Sequence, residues 1–322
     1  MTLNSGTIQP RPVFDVLRRY QMMVLLASLV VAATILQPSF LAPRNIRDVL
    51  TQAAPLGMLV LGQTLVILVS GLDLSVASLM ATVAVLATAF NATSDAMIPV
   101  IFLVAVAFSA VVGLINGLLV TKRNVSPFLA TLAMMTVLQG VRFAYTQGAP
   151  AGSLPAGFRW LGTGSVLGLP VNLLAFLLIF AVLSFILHKT VYGRMIYMTG
   201  GNPRSAELVG VSSATVTIAC YVICSSLAGI GGLFLVGFVG TVDNWVGRGY
   251  ELDSIVAAVI GGVALSGGSG TLAGATLGTL ILVVLFNITI ILGFPIQAQL
   301  VIKGVIVILA AALFARANEK RT

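Results

Sequence analysis

Residues 188–213 read HKTVYGRMIYMTGGNPRSAELVGVSS, a polar stretch set into a chain that is otherwise a succession of apolar runs. On either side lie runs at 167–187 and 215–239, each near the 20 or so residues a helix needs to cross a hydrocarbon core of about 30 Å. Moving outward, similar runs recur at 128–146, 97–120, 74–90, 53–69 and 21–38 on one side. On the other they fall at 252–266, 272–292 and 296–315, of which the first is short and glycine-rich. The 322 residues are 58% hydrophobic and 8% charged, far from the roughly 25% charged residues of a soluble domain. The pattern predicts an all-α, polytopic integral membrane protein of about ten transmembrane helices. A polar tail, 1–20, precedes a single transmembrane domain, 21–315, with 188–213 as its largest polar insert, and a short tail, 316–322, follows.

The net charge of +8 does not point to nucleic acid, because the basic residues are scattered through short loops between the spans. With an inside amino terminus, inside segments carry Arg11, Arg18, Arg19, Lys122, Arg123, Lys189, Arg194, Arg204, Arg316, Lys320 and Arg321. Outside ends keep Arg44, Arg47, Arg142, Arg159 and Arg248. That asymmetry is the positive-inside rule, and ten spans place both termini on the cytoplasmic side, with Trp160 and Trp245 outside. The run after Arg18 and Arg19 reads as an uncleaved first span, since no small-residue cleavage site precedes Pro38. Cys220 and Cys224 lie one helical turn apart inside a span and read as buried thiols.

Chemistry of the chain's own is hard to find. There is one histidine, His188, and no HExxH, no CxxC and no phosphate-binding GxxxxGK[ST] loop. The chain is therefore no enzyme and holds no cofactor; if ATP with its magnesium drives it, another chain binds the nucleotide. Ion-coupled carriers place acids at mid-membrane, whereas the nine acids here fall near span ends. A secondary carrier for a small neutral solute is thus the alternative reading. Asp73, in SGLDLS before the third span, suits a structural cap, its carboxylate accepting free backbone N–H groups at the positive end of a helix. Lys303, inside the last span, either snorkels or pairs with Glu251 or Asp253.

Neutral polar residues within spans, Gln63, Asn116, Thr131, Gln139 and Asn287, are candidates for the lining of a path for an uncharged polyol or sugar. Gly113 with Gly117, and Gly270 with Gly274 and Gly278, have helix-packing spacing, within one subunit or between two. In the polar insert, Gly200-Gly201-Asn202-Pro203 is turn chemistry. About two helical turns follow from Arg204 to Val211, offering Ala206, Leu208 and Val209 to a partner. A second polar loop, 241–253, gathers Asp243, Arg248, Glu251 and Asp253.

Five separated stretches carry a resemblance: SGLDLSVAS at 70–78, NGLLVTKRNVSPFLATLAMM at 116–135, TVYGRMIYMTGGNPRSAELVGV at 190–211, GYELDSIVAAVIGGVALSGGSGTLAGATLG at 249–278 and IQAQLVIKG at 296–304. Together they resemble the membrane permease of ribose-type ABC sugar importers, in the family's order. The resemblance implies the ribose/vitamin B12-type permease architecture, importing a monosaccharide by alternating access. It also implies a second permease copy or paralogue, two cytoplasmic ATPase subunits and a periplasmic sugar-binding protein as partners. By the same resemblance the coupling helix that contacts the ATPase falls at Gly200 to Val211, with Gly200, Gly201, Asn202, Pro203, Arg204, Ala206, Glu207 and Gly210 as its defining residues. Asp243, Arg248, Glu251 and Asp253 would help receive the binding protein. Ala77, where the family often has glycine, and Phe286, where it often has asparagine, bear on which sugar is carried.

Overall fold

A computed structural model describes residues 21–149, 152–305 and 308; both expected tails and nearly all of the last span beyond 305 lie outside the described residues. The chain runs through helices α1 (Gln21–Leu36), α2 (Pro43–Leu68), α3 (Val76–Ala89), α4 (Ile98–Lys122), α5 (Pro127–Thr146), α6 (Ala156–Thr163), α7 (Val171–Lys189), α8 (Val191–Gly201), α9 (Pro203–Leu208), α10 (Ser213–Val239), α11 (Tyr250–Ile260) and α12 (Leu272–Ile291). A further helical stretch occupies 296–305. Between α6 and α7 the chain makes a small antiparallel hairpin, Ser165–Val166 against Leu169–Pro170. Leu167 and Gly168 form its two-residue turn, both at positive φ. The protein is therefore mostly, rather than wholly, α-helical.

The chain is a polytopic membrane protein with several spans, and not every one of the ten runs expected from the sequence forms a full-length helix. Among the described residues six helices are long and apolar enough to cross a membrane: α2, α4 with the 3-10 turn before it, α5, α7, α10 and α12. The apolar runs at 21–38 and 74–90 become helices of 16 and 14 residues, and 252–266 becomes one of 11. The reason is visible in α3: all but two of its residues are buried inside the protein. Its hydrophobicity answers to neighbouring helices rather than to lipid, and such a segment has no need to span.

Helices α2 and α10 form the core. In the most apolar window of α2, 89% of residues are buried inside the protein, against 22% for α5, so α2 is surrounded by protein and α5 lies at the periphery. Helix α10 packs along α4, α2 and α3. Gly113 and Gly117 of α4 face the backbone of α10 at Val222 and Ile218, and Gly274 and Gly278 of α12 face the α11 backbone at Gly261 and Ala257. Both glycine motifs thus serve packing within the subunit, where missing side chains let backbones approach and gain dispersion contacts. Cys220 and Cys224 are free and buried.

The helices leave two unlike ends. One, the Asn202 end, gathers the end of α2, the beginning of α3, the α8–α9 segment and the loop 261–271. The other, the Trp245 end, gathers α6, the hairpin and the loop 240–249.

Candidate functional site

At the Asn202 end the chain between α2 and α3, Val69 to Ser75, is an irregular elbow, and apart from exposed Ser70 and half-buried Leu72 its residues are buried. Irregular backbone survives inside a bundle only when each of its polar groups finds a partner. Here side chains from four helices supply them. Tyr221 of α10 donates its hydroxyl to the Leu72 carbonyl at 3.1 Å. The Leu74 N–H donates to Thr131 Oγ1 of α5 at 3.1 Å. Gln63 of α2, with its amide oriented to suit both partners, donates to the Asp73 carbonyl at 3.1 Å and accepts from the Asp73 N–H at 3.2 Å. Asp73 Oδ1 accepts from the Ser75 N–H at 2.9 Å and the Ser75 hydroxyl at 2.6 Å. Asn116 of α4 then donates to Ser75 Oγ at 3.0 Å.

Ser70 anchors the exposed corner. Its φ of 62° is the left-handed region, which costs a residue bearing a Cβ on the order of 1–2 kcal/mol. The Ser70 hydroxyl lies 2.8 Å from the Ser266 carbonyl and 3.1 Å from the Gly200 carbonyl, contacts that hold the corner in place. The Gly268 N–H adds a bond to the Leu68 carbonyl at 2.9 Å.

On this corner rests the polar insert. Residues 191–201 form α8; Gly200 and Gly201, expected in the turn, are its last residues, and the chain breaks at Asn202. Asn202 is extended, at φ −160°, and its side chain accepts from the Ser205 N–H at 3.1 Å. That cap, with Pro203 preset for the first turn, starts α9. Gly210 ends the segment at φ +84°. A side chain at Gly200 would collide with the Leu68 carbonyl and the Gly268 N–H, whereas Gly201 has open space around its Cα. Arg204, Glu207, Leu208 and Val209 project outward, Leu208 being 88% and Val209 65% exposed, but Ala206 is turned inward and 1% exposed. The three side chains expected to be offered to a partner therefore reduce to two.

Of the five polar residues picked from the spans, the structure brings three together, Gln63, Asn116 and Thr131, all at the elbow and all fully buried. Asn287 is elsewhere, in reciprocal amide bonds of 2.9 and 3.1 Å with Asn45 of α2. Gln139 is half-buried on α5, apart from both groups.

The Trp245 end is looser. An open cavity of about 540 Å³ lies among Thr88, Ser153, Phe158, Arg159, Val236 and Thr241. In the loop 240–249, Asp243 accepts from the Trp245 N–H at 2.5 Å. Arg248 lies over the Trp245 ring at 4.6 Å, and Glu251 Oε2 accepts from the Gly249 N–H at 2.9 Å. Asp253 differs from these: it is buried and paired with Lys303 Nζ at 2.6 Å.

Sequence reasoning missed several participants. Arg142, assigned to an outside end, lies within α5 and is 4% exposed, donating to the Ser78 carbonyl at 2.9 Å and to Thr82 Oγ1 at 3.1 Å on α3. A charge inside an apolar run was the available signal. Ser70, Ser75 and Tyr221 gave none, since hydroxyls in spans are common.

Among the described residues no three His, Cys, Asp or Glu side chains come together as a metal site. No solved structure matches the chain. The family model described as "Branched-chain amino acid transport system / permease component" matches residues 45–311. The chain is 38% identical to the ribose import permease of Bacillus subtilis over 288 residues, 88% of this chain and 89% of that protein. To the ribose import permease of Escherichia coli K12 it is 36% identical over 318 residues, 96% and 98% of the two. The galactose/methyl galactoside import permease of Haemophilus influenzae is 31% identical over 323 residues, covering 93% and 95%. With most of its length inside the family model and relatives matched nearly end to end, the chain belongs to this family of transport-system permease components.

Proposed function

We propose that the chain is the membrane-spanning permease of an ATP-binding cassette importer that carries a monosaccharide, of the ribose or galactose kind, across the bacterial inner membrane by alternating access. The names of its relatives support the cargo class. The missing phosphate loop supports a motor on a separate ATPase, which holds the ATP and magnesium. The single observation that carries the mechanism is the seat of Gly200 on the Leu68 carbonyl, with Ser70 bonded to Gly200.

In this reading α9 is the coupling helix. Arg204, Glu207, Leu208 and Val209 meet the ATPase on the cytoplasmic side, and both termini lie on that side, as the distribution of basic residues suggests. When ATP draws the ATPase subunits together, α9 moves; the tight backbone contact at Gly200 leaves no slack, so the elbow 69–75 moves with it. Gln63, Asn116, Thr131 and Tyr221 then pass that motion to α2, α4, α5 and α10. Those four side chains act as fasteners of the elbow more than as lining for the cargo, because each already makes a hydrogen bond within the elbow network. A second permease copy or paralogue completes the path. A periplasmic binding protein docks on the Trp245 end, where Asp243, Arg248 and Glu251 present charge, while Asp253 braces α11 from within.

The test is reconstitution. The chain, copurified with its ATPase and binding protein into liposomes, should take up a monosaccharide from a panel only with ATP on the ATPase side. Accumulation by the chain alone under a proton or sodium gradient would overturn the reading.

A further inference from the structure

Three backbones meet beneath the end of α8: α8 itself at Gly200, the elbow, and the loop 261–271 that joins α11 to α12. A Cβ added to Gly268 would lie 2.8 Å from Gly201 Cα, and one added to Gly267 2.9 Å from the Gly200 carbonyl oxygen, so the loop passes under α8 with no side chain between them. Direct bonds fix it there. The Gly268 N–H donates to the Leu68 carbonyl at 2.9 Å, and the Ser70 hydroxyl reaches the Ser266 carbonyl at 2.8 Å. From α8 the half-buried Tyr197 donates its hydroxyl to the Gly270 carbonyl at 2.8 Å. The loop is also folded on itself, the Ala264 N–H donating to the Ser269 carbonyl and the Gly267 N–H to the Ala264 carbonyl, both at 2.9 Å.

This loop is the tip of a stiff hairpin. Helices α11 and α12 pack on each other, Gly274 and Gly278 of α12 lying against the Gly261 and Ala257 carbonyls, and Thr271 Oγ1 caps α12 by accepting from the Gly274 N–H at 3.0 Å. The base of the hairpin lies at the Trp245 end. There α11 follows directly on the loop 240–249, Glu251 accepts from the Gly249 N–H, and Asp253 is paired with Lys303. The hairpin is one body in contact with both ends of the molecule, and coupling between distant sites is carried by packed, hydrogen-bonded elements of this kind. We propose that the α11–α12 hairpin is a second lever arm beside the elbow, and that Tyr197 is the positioning residue that pins its tip to α8. Resting on the reading of α9 as the surface the ATPase grips, this divides the motion of α8 in two. The elbow carries one part to α2 and α3, and the hairpin carries the other to the Trp245 end. Because coupling is reciprocal, a binding protein docked beside Gly249 acts back along the same hairpin on α8 and the ATPase. Ser70 and Leu68 hold the tip to the elbow, whereas Tyr197 holds it to α8, so removing the Tyr197 hydroxyl loosens the second arm and leaves the elbow joint in place.

The test uses the full chain and Tyr197→Phe, which keeps the ring and removes only the hydroxyl. In liposomes, with neither ATPase nor cargo, amide hydrogen exchange within 262–271 should rise about fivefold over the parent, the scale of one intramolecular hydrogen bond, at parental folded yield. Unchanged exchange there overturns the pin. In the assembled complex, copurification of the ATPase and its unstimulated hydrolysis should match the parent, whereas hydrolysis stimulated by the loaded binding protein should fall about fivefold. A residue that merely supported the fold would lower both rates together with abundance, and that result overturns the assignment. Parental stimulation in a variant whose loop has loosened overturns the lever arm. A parent complex in which the binding protein never stimulates hydrolysis would instead refute the importer reading, and the exchange measurement would still decide the pin.

Discussion

The two ends of the molecule handle polar backbone in opposite ways. At the Asn202 end the irregular elbow 69–75 is enclosed, and its groups are met by side chains from α2, α4, α5 and α10. At the Trp245 end the irregular segment 240–249 is met largely from close by, Asp243 and Glu251 each accepting from an N–H two residues away, with Asn244 as a tie to Thr146 of α5. It borders an open cavity. A segment tied into four helices moves only with them, whereas one tied to itself can shift against its neighbours at the cost of few bonds. In the function proposed above, this contrast suits the first end to transmitting force and the second to adaptable recognition.

The largest effect tests whether the second end is in fact braced underneath. Lys303→Met removes the cation from a carboxylate that is 4% exposed. Breaking a buried pair from one side destabilises by about 3 kcal/mol, and removing both charges together restores much of it. Thermal unfolding in detergent should therefore show a clear loss for Lys303→Met and a substantial recovery in the double variant with Asp253→Asn. An unchanged midpoint in the single variant would mean that Asp253 is solvated and that the looseness of the Trp245 end extends into α11.

A smaller effect sharpens the picture of the first end. Gly200 and Gly201 are adjacent residues of one helix turn, yet only Gly200 abuts the Leu68 carbonyl. Gly200→Val must push the elbow away, an overpacking cost of about 1–3 kcal/mol. Gly201→Val meets open space, and its stability should stay within about 0.5 kcal/mol of the parent. Folded yield and thermal midpoint separate the two, and equal behaviour would remove the seat of α8 on the elbow from the mechanism.

How far the sequence revealed this follows from the same contrast. The class of protein was legible because lipid imposes a long apolar run on every span exposed to it, as in α4, α5 and α7. Helix lengths were less legible, because α3 is apolar largely through burial in protein, and burial sets no minimum length. SGLDLS and GGNPRSAEL stood out as polar breaks, but the expected cap is not made: Asp73 accepts from the N–H of Ser75, the residue before α3, and no side chain caps the first N–H groups of that helix. That the two breaks touch, Ser70 on Gly200, is a contact across 130 positions, and one sequence holds no record of such pairings. The burial of Arg142 was hidden for a related reason: a charge near a span end shows no sign of being enclosed until the acceptors on α3 are known.

The smallest change in stability should carry the sharpest change in function. Leu208 and Val209 are the two exposed apolar side chains of the α9 turn, and neither supports the fold, so replacing both with serine should leave the thermal midpoint within about 0.5 kcal/mol of the parent. If α9 is the surface the ATPase grips, those side chains become buried in the complex. Each then contributes on the order of 1.5 kcal/mol or more of apolar burial, and losing both weakens association about a hundredfold. Copurification of the ATPase should fall accordingly, and cargo-stimulated hydrolysis with it, while binding-protein capture at the Trp245 end persists. An ATPase retained at full strength would show that the grip lies elsewhere on this end. The enclosed elbow would then be a brace for the bundle, with no force passing through it.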